Sequence, residues 1–514
     1  MTVTAPTPAA AATGAAAVLA PLLRGLFGGE PPLRLRTWDG GAYGPPDAPA
    51  VVLRSPRALR RLLWSPGELG LARAYVTGEL DVEGDLADGL RRVWATAHTA
   101  RTAHTARAAL VVAPLRAARA LVRVRGALGR PLPPPATEAR LGGRAHSRSR
   151  DRAAISHHYD LSNDFYSLIL DESMAYSSAY FEPGDTLAAA QRRKLDMVCR
   201  KLRLRPGMRL LDVGCGWGSL ILHAAREYGV SATGVTLSRE QKAFVESRSE
   251  GLDVTVRLQD YRDIAGDPGD PGGPGGPGGP GSLGGSGGPG GLGGFGGLDG
   301  FYDAIGSIEM GEHVGQDNYP VYAAALHRLV RPGGRVLVQQ MSRGAGHPGG
   351  GPFIETYIAP DMHMRPVGAT IGLLEASGLV FEHAEAMGGH YVTTVNEWYR
   401  TFESRHAEAV AMVGEEMTRV WRLYLVGGAL AFEQGRMDVH QILLRRPLGP
   451  DTAPGSLPPA VPSAGAGAPT GSASPAVPSA GPGAPVGFVS PAASGVPTGP
   501  VSHTVPGASG RSEV

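Results

Sequence analysis

Residues 210–218 read LLDVGCGWG, an apolar run that ends in three glycines at alternate positions. A helical pattern follows over 219–228. Strand, glycine turn and helix in this order open a nucleotide-type α/β unit, because glycine lacks the Cβ that would hold a ligand off the backbone. The helix start adds N–H groups without partners. The spacing is G-x-G-x-G rather than G-x-G-x-x-G, and the second strand, 230–237, ends in Thr236, Leu237 and Ser238 with no acid at its tip. A dinucleotide site needs an acid there for the ribose. Asp212 precedes the glycines instead. This suits S-adenosylmethionine (SAM) better than NAD(P); a glycine turn without a ligand is the bland alternative.

The chain around this turn alternates. A helical stretch at 187–202 precedes it, and Ser238 is placed to cap a helix that begins beside Gln241. Further strands read at 254–258, 302–308 and 335–341, with a helix at 319–329 and a glycine turn at 332–334. The pattern predicts an α/β, doubly wound, seven-stranded Rossmann-like sheet with helices on both faces. Ligands of such sheets lie at the carboxyl ends of the strands, which gathers 212–218, 236–241, 259–261 and 307–313 around one crevice. Upstream, strands at 33–38 and 51–53 and helices within 56–92 read as a small α+β N-terminal domain.

With 514 residues the chain has room for two to three domains. The organisation read here is a disordered start (1–19), an N-terminal lipid-associating domain (20–130) and a basic linker (131–152). The main domain follows (153–446), interrupted by a Gly/Pro-rich insertion (266–298), and then a low-complexity tail (447–514). The formal charge of +2 gives no reason to expect nucleic acid. Two cysteines, Cys199 and Cys215, build neither a disulfide framework nor a metal cluster, which fits a reducing cytosol. No apolar stretch is long enough to span a membrane, and no secretory signal is read. Arg101, Arg107, Arg116, Arg119, Arg123, Arg125 and Arg130 alternate with apolar residues. That segment fits a helix lying on anionic lipid or an ordinary solvated helix.

Several separate blocks resemble the cyclopropane-fatty-acyl-phospholipid synthases and the related mycolic-acid methyltransferases. They are HYDLSN at 158–163, YSSAY at 176–180, LDVGCGWG at 211–218, GVTLS at 234–238, QDYRD at 259–263, EHVG at 312–315 and WY at 398–399. The resemblance covers roughly 150–446, and 20–150 more weakly. The Gly-rich insertion and the tail lie outside the family pattern.

The resemblance implies a SAM-dependent C-methyltransferase. Tyr176 and Ser177 are then expected beside the methionine of SAM, with Gly214 and Gly216 beneath it and Asp212 and Gly218 also among the cofactor-binding residues. Thr236, Leu237 and Gln241 are expected at the ribose, and Asp260 and Tyr261 at the adenine. The implied substrate is a cis-unsaturated acyl chain in a phospholipid bilayer, and the implied location is cytoplasmic, peripheral on the inner membrane face. Methyl attack leaves a carbocation that aromatic faces stabilise; Tyr159, Tyr180, Tyr391 and Tyr399 are the candidates. In the family a bicarbonate takes the proton, held by two cysteines, a glutamate, a histidine and a tyrosine. Glu312 and Tyr399 match that set, so Glu312→Gln is expected to cut turnover. Ser178, Gln339 and Gly428 stand where the other three are expected. His313 reads as a second base or as a packed histidine. The product stays open between a cyclopropane ring and a methylene or methyl branch, the latter with a reductase partner; a homodimer is also admitted. A methyltransferase for a soluble small molecule and a non-catalytic SAM or lipid binder are the competing readings.

Overall fold

The computed structural model describes residues 12–102, 124, 126–159, 161–264, 301–346 and 349–448. The basic stretch at 103–123, the Gly/Pro-rich insertion and nearly all of the tail therefore lie outside the described residues, as does the start of the chain to residue 11.

The chain begins with α1 (Gly14–Phe27), then β1 (Arg34–Thr37), β2 (Ala42–Tyr43), β3 (Ala50–Leu53), α2 (Arg57–Trp64), α3 (Glu68–Val76), β4 (Leu80–Glu83) and α4 (Leu86–Thr102). The four strands form one sheet in the order β2-β1-β3-β4. Helix α1 starts at Gly14, well before the expected end of disorder at residue 19. Its alanine-rich sequence favours helix, and the Asp39 carboxylate accepts from the Ala15 N–H at 2.7 Å.

The basic linker at 131–152 is held to its neighbours. Glu138 pairs with Arg73 and accepts from the Tyr357 hydroxyl, and helix α5 (Arg148–Tyr159) already begins within it. Then follow α6 (Asn163–Ile169), α7 (Leu187–Leu202), β5 (Arg209–Val213), α8 (Ser219–Tyr228), β6 (Ser231–Thr236), α9 (Arg239–Arg248) and β7 (Val254–Leu258). The chain continues as β8 (Tyr302–Ile308), α10 (Tyr319–Leu329), β9 (Val330–Arg343), α11 (Pro352–Tyr357), α12 (Val367–Glu375), β10 (Val380–Ala386), α13 (Gly388–Ser404), α14 (His406–Glu433) and β11 (Met437–Arg445). Helix α14 breaks at Gly414, where φ is +76°.

The second sheet has seven strands in the order β10-β11-β9-β8-β5-β6-β7, and only β11 runs antiparallel to its neighbours. The Rossmann-like expectation holds. β5 leads to β6 and β7 on one side, while β8 and β9 lie on the other, so the connections diverge between β5 and β8. A crevice opens at such a switch point. The turn expected at 332–334 is instead a bulged part of β9: Tyr302 pairs with Val330 but Ala304 with Arg335.

β5 is buried throughout except at Arg209, as a strand covered on both faces must be. Helix α14 joins the two sheets: Val426 and Leu430 pack into the N-terminal core, and the Arg419 guanidinium donates to Tyr75 O and Leu80 O. Among the described residues no helix is long and apolar enough to cross a membrane.

Candidate active site

β5 ends at Val213 and the chain turns through Gly214 (φ +82°), Gly216 (φ +53°) and Gly218 (φ +80°). The N–H groups of Gly214 and Cys215 both donate to Val235 O, at 3.1 and 3.0 Å, which locks the turn to β6. A Cβ on Gly214 would meet Met310 Cγ at 2.6 Å, and one on Gly218 would meet Val245; one on Gly216 would meet nothing within 4 Å. Gly216 borders a cavity of about 1330 Å³, mouth included.

Most of the residues expected at the cofactor line this one cavity; Gly218 stays behind the wall. Asp212 is 2 % exposed, and its Oδ1 has no hydrogen-bond partner among the described residues. Burial pushes its carboxyl up to about 7, against the pull of Lys194. The Thr236 hydroxyl donates to Gln241 Oε1 at 2.7 Å, and Ser238 caps α9 by accepting from the Gln241 N–H. That local network fixes the rim beside Leu237. Asp260 is engaged by Arg262, whose guanidinium bridges Asp260 (2.6 Å) and Asp151 (2.8 Å). Burial opposes ionisation of Asp260, but the bonds from Arg262 outweigh it and hold the carboxyl below its usual range. The Tyr261 hydroxyl is buried with no partner among the described residues. His313 also lines the cavity, and burial holds its imidazole down at about 4, so it is neutral at physiological pH.

The cavity lining also includes Tyr176, Ser177 and Glu309. The Tyr176 and Tyr424 hydroxyls meet at 2.9 Å. Glu309 follows β8 with φ at +52°, an unfavourable backbone for a non-glycine residue. Its Oε1 accepts from the Ser178 N–H (2.9 Å) and Gln339 Nε2 (2.8 Å), and its Oε2 from the Tyr391 hydroxyl (2.6 Å). Burial raises the carboxyl above its usual value, while Tyr391, Ser178, Gln339 and Lys194 draw it back. Sequence reading passed over Glu309. The signal present was a second glutamate three residues before Glu312.

The residues expected around the base divide. Ser178 and Gln339 converge, but on Glu309. Glu312 lies outside the cavity lining: its Oε1 accepts from the Met341 N–H at 3.1 Å, and its Oε2 has no partner among the described residues. Burial and the nearby Glu309 push Glu312 up to about 8, so it is protonated at neutral pH. Tyr399 is not at this cluster; it packs toward the N-terminal core near Glu403 and Arg422. Tyr391 supplies the hydroxyl instead, two turns earlier on α13, a separation of about 12 Å along a helix. Tyr180 stacks on His390 (4.2 Å) and donates to Glu385, so it faces away from Glu309. The side chain of Tyr159 lies outside the described set. Gly428 carries no side chain to contribute, and a Cβ there would meet no atom within 4 Å. The arrangement does not fit a bound bicarbonate: the Ser178 N–H and the Gln339 amide already serve the Glu309 carboxylate.

Sheet order, glycine turn and cavity define a Rossmann-like α/β protein with a cavity at the switch point. Residues 146–270 and 291–442 match the family model for mycolic acid cyclopropane synthetase. The chain is 35 % identical over 429 residues to a probable fatty acid methyltransferase of Pseudomonas putida, covering 81 % of this chain and 92 % of the relative. It is 31 % identical over 436 residues to the tuberculostearic acid methyltransferase UfaA1 of Mycobacterium tuberculosis, covering 81 % and 88 %. It is 36 % identical over 301 residues to the cyclopropane-fatty-acyl-phospholipid synthase of Escherichia coli, covering 58 % and 70 %. Among solved structures, mycolic acid cyclopropane synthase CmaA1, complexed with SAH and CTAB, gives a TM-score of 0.49 at 29 % identity, over 57 % of this chain and 98 % of that one. The chain belongs to the mycolic acid cyclopropane synthetase family, and it is a SAM-dependent methyltransferase.

Proposed function

We propose that the protein transfers the methyl carbon of SAM to the cis double bond of an unsaturated acyl chain in a phospholipid, with Glu309 as the proton acceptor. One observation carries this reading: an ionisable carboxylate lines the cofactor cavity, held there by Ser178, Gln339 and Tyr391. SAM, when bound, supplies an electrophilic methyl on a sulfonium. The residues fit it: Gly216 leaves room for a ligand against the turn, and the Asp212 and Tyr261 side chains present polar atoms without partners among the described residues.

The roles are those the family resemblance implies, and the shared cavity lining supports them. Tyr176 and Ser177 border the methionine end, Gly214 and Gly216 the floor, Thr236, Leu237 and Gln241 the ribose, and Tyr261 with the Asp260–Arg262 pair the adenine. Holding donor and alkene at contact distance does much of the work in such a transfer. As the new C–C bond forms, positive charge develops on the acyl chain, and the Tyr176 ring and the Glu309 carboxylate line the cavity where it forms, backed by the Tyr424 and Tyr391 hydroxyls that bond them. Glu309 then accepts a proton from the transferred carbon, and the electrons of that C–H bond close a cyclopropane. The second reading is that they form a methylene double bond. It is favoured by the fatty acid methyltransferase names of the two relatives matched over four-fifths of the chain.

An exposed ridge supports work at a bilayer. Leu63, Trp64 and Leu128 are 37, 55 and 46 % exposed, and Trp64 Nε1 donates to Gly129 O, which keeps the two segments together. In sequence, Leu128 belongs to the stretch 101–130, which carries seven arginines and no acid. Such a combination suits the interface of an anionic membrane.

The test is incubation with methyl-labelled SAM and vesicles of mono-unsaturated phospholipid. Label in the acyl chain supports the reading; label only in small solutes contradicts it. Mass spectrometry after hydrogenation separates a ring from a branch.

A further inference from the structure

Lys194 on α7 is 0 % exposed. A lysine is almost never fully buried without a partner. Its Nζ donates to Ser177 Oγ at 2.8 Å. One turn earlier on the same face, Gln191 Nε2 donates to Ala175 O (3.2 Å) and Ser177 O (2.9 Å). Residues three apart on a helix share a face. Gln191 and Lys194 thus hold from beneath the segment that presents Tyr176 and Ser177 to the cavity.

Geometry ties Lys194 to Glu309 through adjacent residues: Lys194 Nζ bonds Ser177, and the next N–H, of Ser178, donates to Glu309. Asp171 after α6, Asp212 at the end of β5, Glu309 after β8 and Cys199 on the same helix all act electrostatically on the Lys194 ammonium. Glu309 in turn accepts from Tyr391 of α13 and acts electrostatically on Tyr424 of α14 and on Glu312. For Asp212, Lys194 is the group that works against burial. A hydrophobic residue of similar length could fill this volume, so packing alone does not call for a charge here.

We propose that Lys194 is a positioning residue for methyl transfer: its ammonium fixes Ser177 at the cavity wall and supplies the positive charge that keeps the Glu309 carboxylate ionised. The proposal rests on the reading of Glu309 as proton acceptor. It adds to that reading a cation that touches neither substrate nor the reacting atoms but decides at which pH the acceptor works.

The experiment uses the full-length protein with labelled SAM and mono-unsaturated phospholipid vesicles, and records kcat against pH together with SAM affinity for Lys194→Met, Lys194→Arg and Glu309→Gln. Removing a nearby cation raises the pH at which a carboxyl ionises. In Lys194→Met the acidic limb of the profile should therefore move up by about one pH unit, with activity near pH 7 down about tenfold and recovering as pH rises. Lys194→Arg keeps the charge and should keep the limb within about half a unit, with altered SAM affinity from the displaced Ser177 contact. A Lys194→Met limb that coincides with wild type would overturn the proposal and leave the Glu309 reading standing. A limb displaced equally in Lys194→Arg would also overturn it, and this variant gives the answer if Lys194→Met does not fold. Wild-type turnover in Glu309→Gln would overturn both.

Discussion

The Tyr391 hydroxyl donates to Glu309 Oε2 at 2.6 Å. That bond joins helix α13, which carries no part of the glycine turn, to the acid that closes the cavity wall after β8. Its loss should leave the carboxylate with the donors on Oε1 alone and raise the pH at which it ionises. Tyr391→Phe is expected to lower turnover about tenfold near neutral pH, the scale of a charged hydrogen bond of ~1.5–3 kcal/mol. SAM affinity, read by calorimetry, should change little. An unchanged pH profile would remove Tyr391 from the proton-accepting site.

Glu312 behaves oppositely. Its carboxyl is pushed up to about 8, so the neutral amide of Glu312→Gln mimics the form present at pH 7. The substitution should leave turnover within a fewfold of wild type, which reverses the expectation drawn from resemblance. It should also change how stability depends on pH. A carboxyl whose folded value lies above its unfolded value stabilises the protein at low pH, and this contribution is lost as pH rises from about 4.5 to about 8. Thermal denaturation of Glu312→Gln should therefore show a shallower fall in Tm across that window. A variant that falls as steeply as wild type would contradict the assignment of a buried, protonated Glu312.

Gly216 and Gly207 allow a controlled comparison. Both have positive φ, +53° and +80°, and a Cβ on either meets nothing within 4 Å. A side chain at either position should cost about 1–2 kcal/mol of stability for the left-handed backbone. Only Gly216 borders the cavity. Gly216→Val should weaken SAM binding at least about tenfold, or ~1.4 kcal/mol, while Gly207→Val should not. Equal affinities in the two variants would mean that the ligand does not lie over the turn.

The exposed ridge predicts a separable defect. Replacing Leu63 and Trp64 by alanine removes two apolar side chains that no core requires. Sedimentation with anionic vesicles should fall at least about tenfold, because each side chain is only about half exposed and so contributes about half of the ~1.5–3 kcal/mol of a large apolar group taken out of water. SAM binding should be unaffected. Undiminished vesicle binding would place the membrane contact elsewhere.

The sheet was legible in the sequence because its signals are local. The apolar run into Gly214, the Ser238 cap and the strand at 254–258 each act over a few residues, and the structure has all three. The base site was legible only in part. SIEMGEH at 307–313 offers two glutamates, and resemblance drew attention to the second. Which one enters the cavity depends on the positive φ at Glu309, and a non-glycine residue carries no sequence signal for that conformation. Tyr391 and Tyr399 likewise share one helix, and only the packing of α13 against α14 decides which hydroxyl reaches the acid. Helix α1 was underestimated for a different reason: its anchor, Asp39, lies 24 residues away in sequence from the N–H it accepts.

The central claim is that Glu309 receives the proton. Its most direct test is single-turnover methyl transfer by Glu309→Gln with labelled SAM and mono-unsaturated phospholipid vesicles. General-base catalysis is worth about 10²- to 10⁴-fold, so transfer into the acyl chain should slow by that factor while SAM binds as in wild type. Transfer at the wild-type rate, with the wild-type product, would contradict the account.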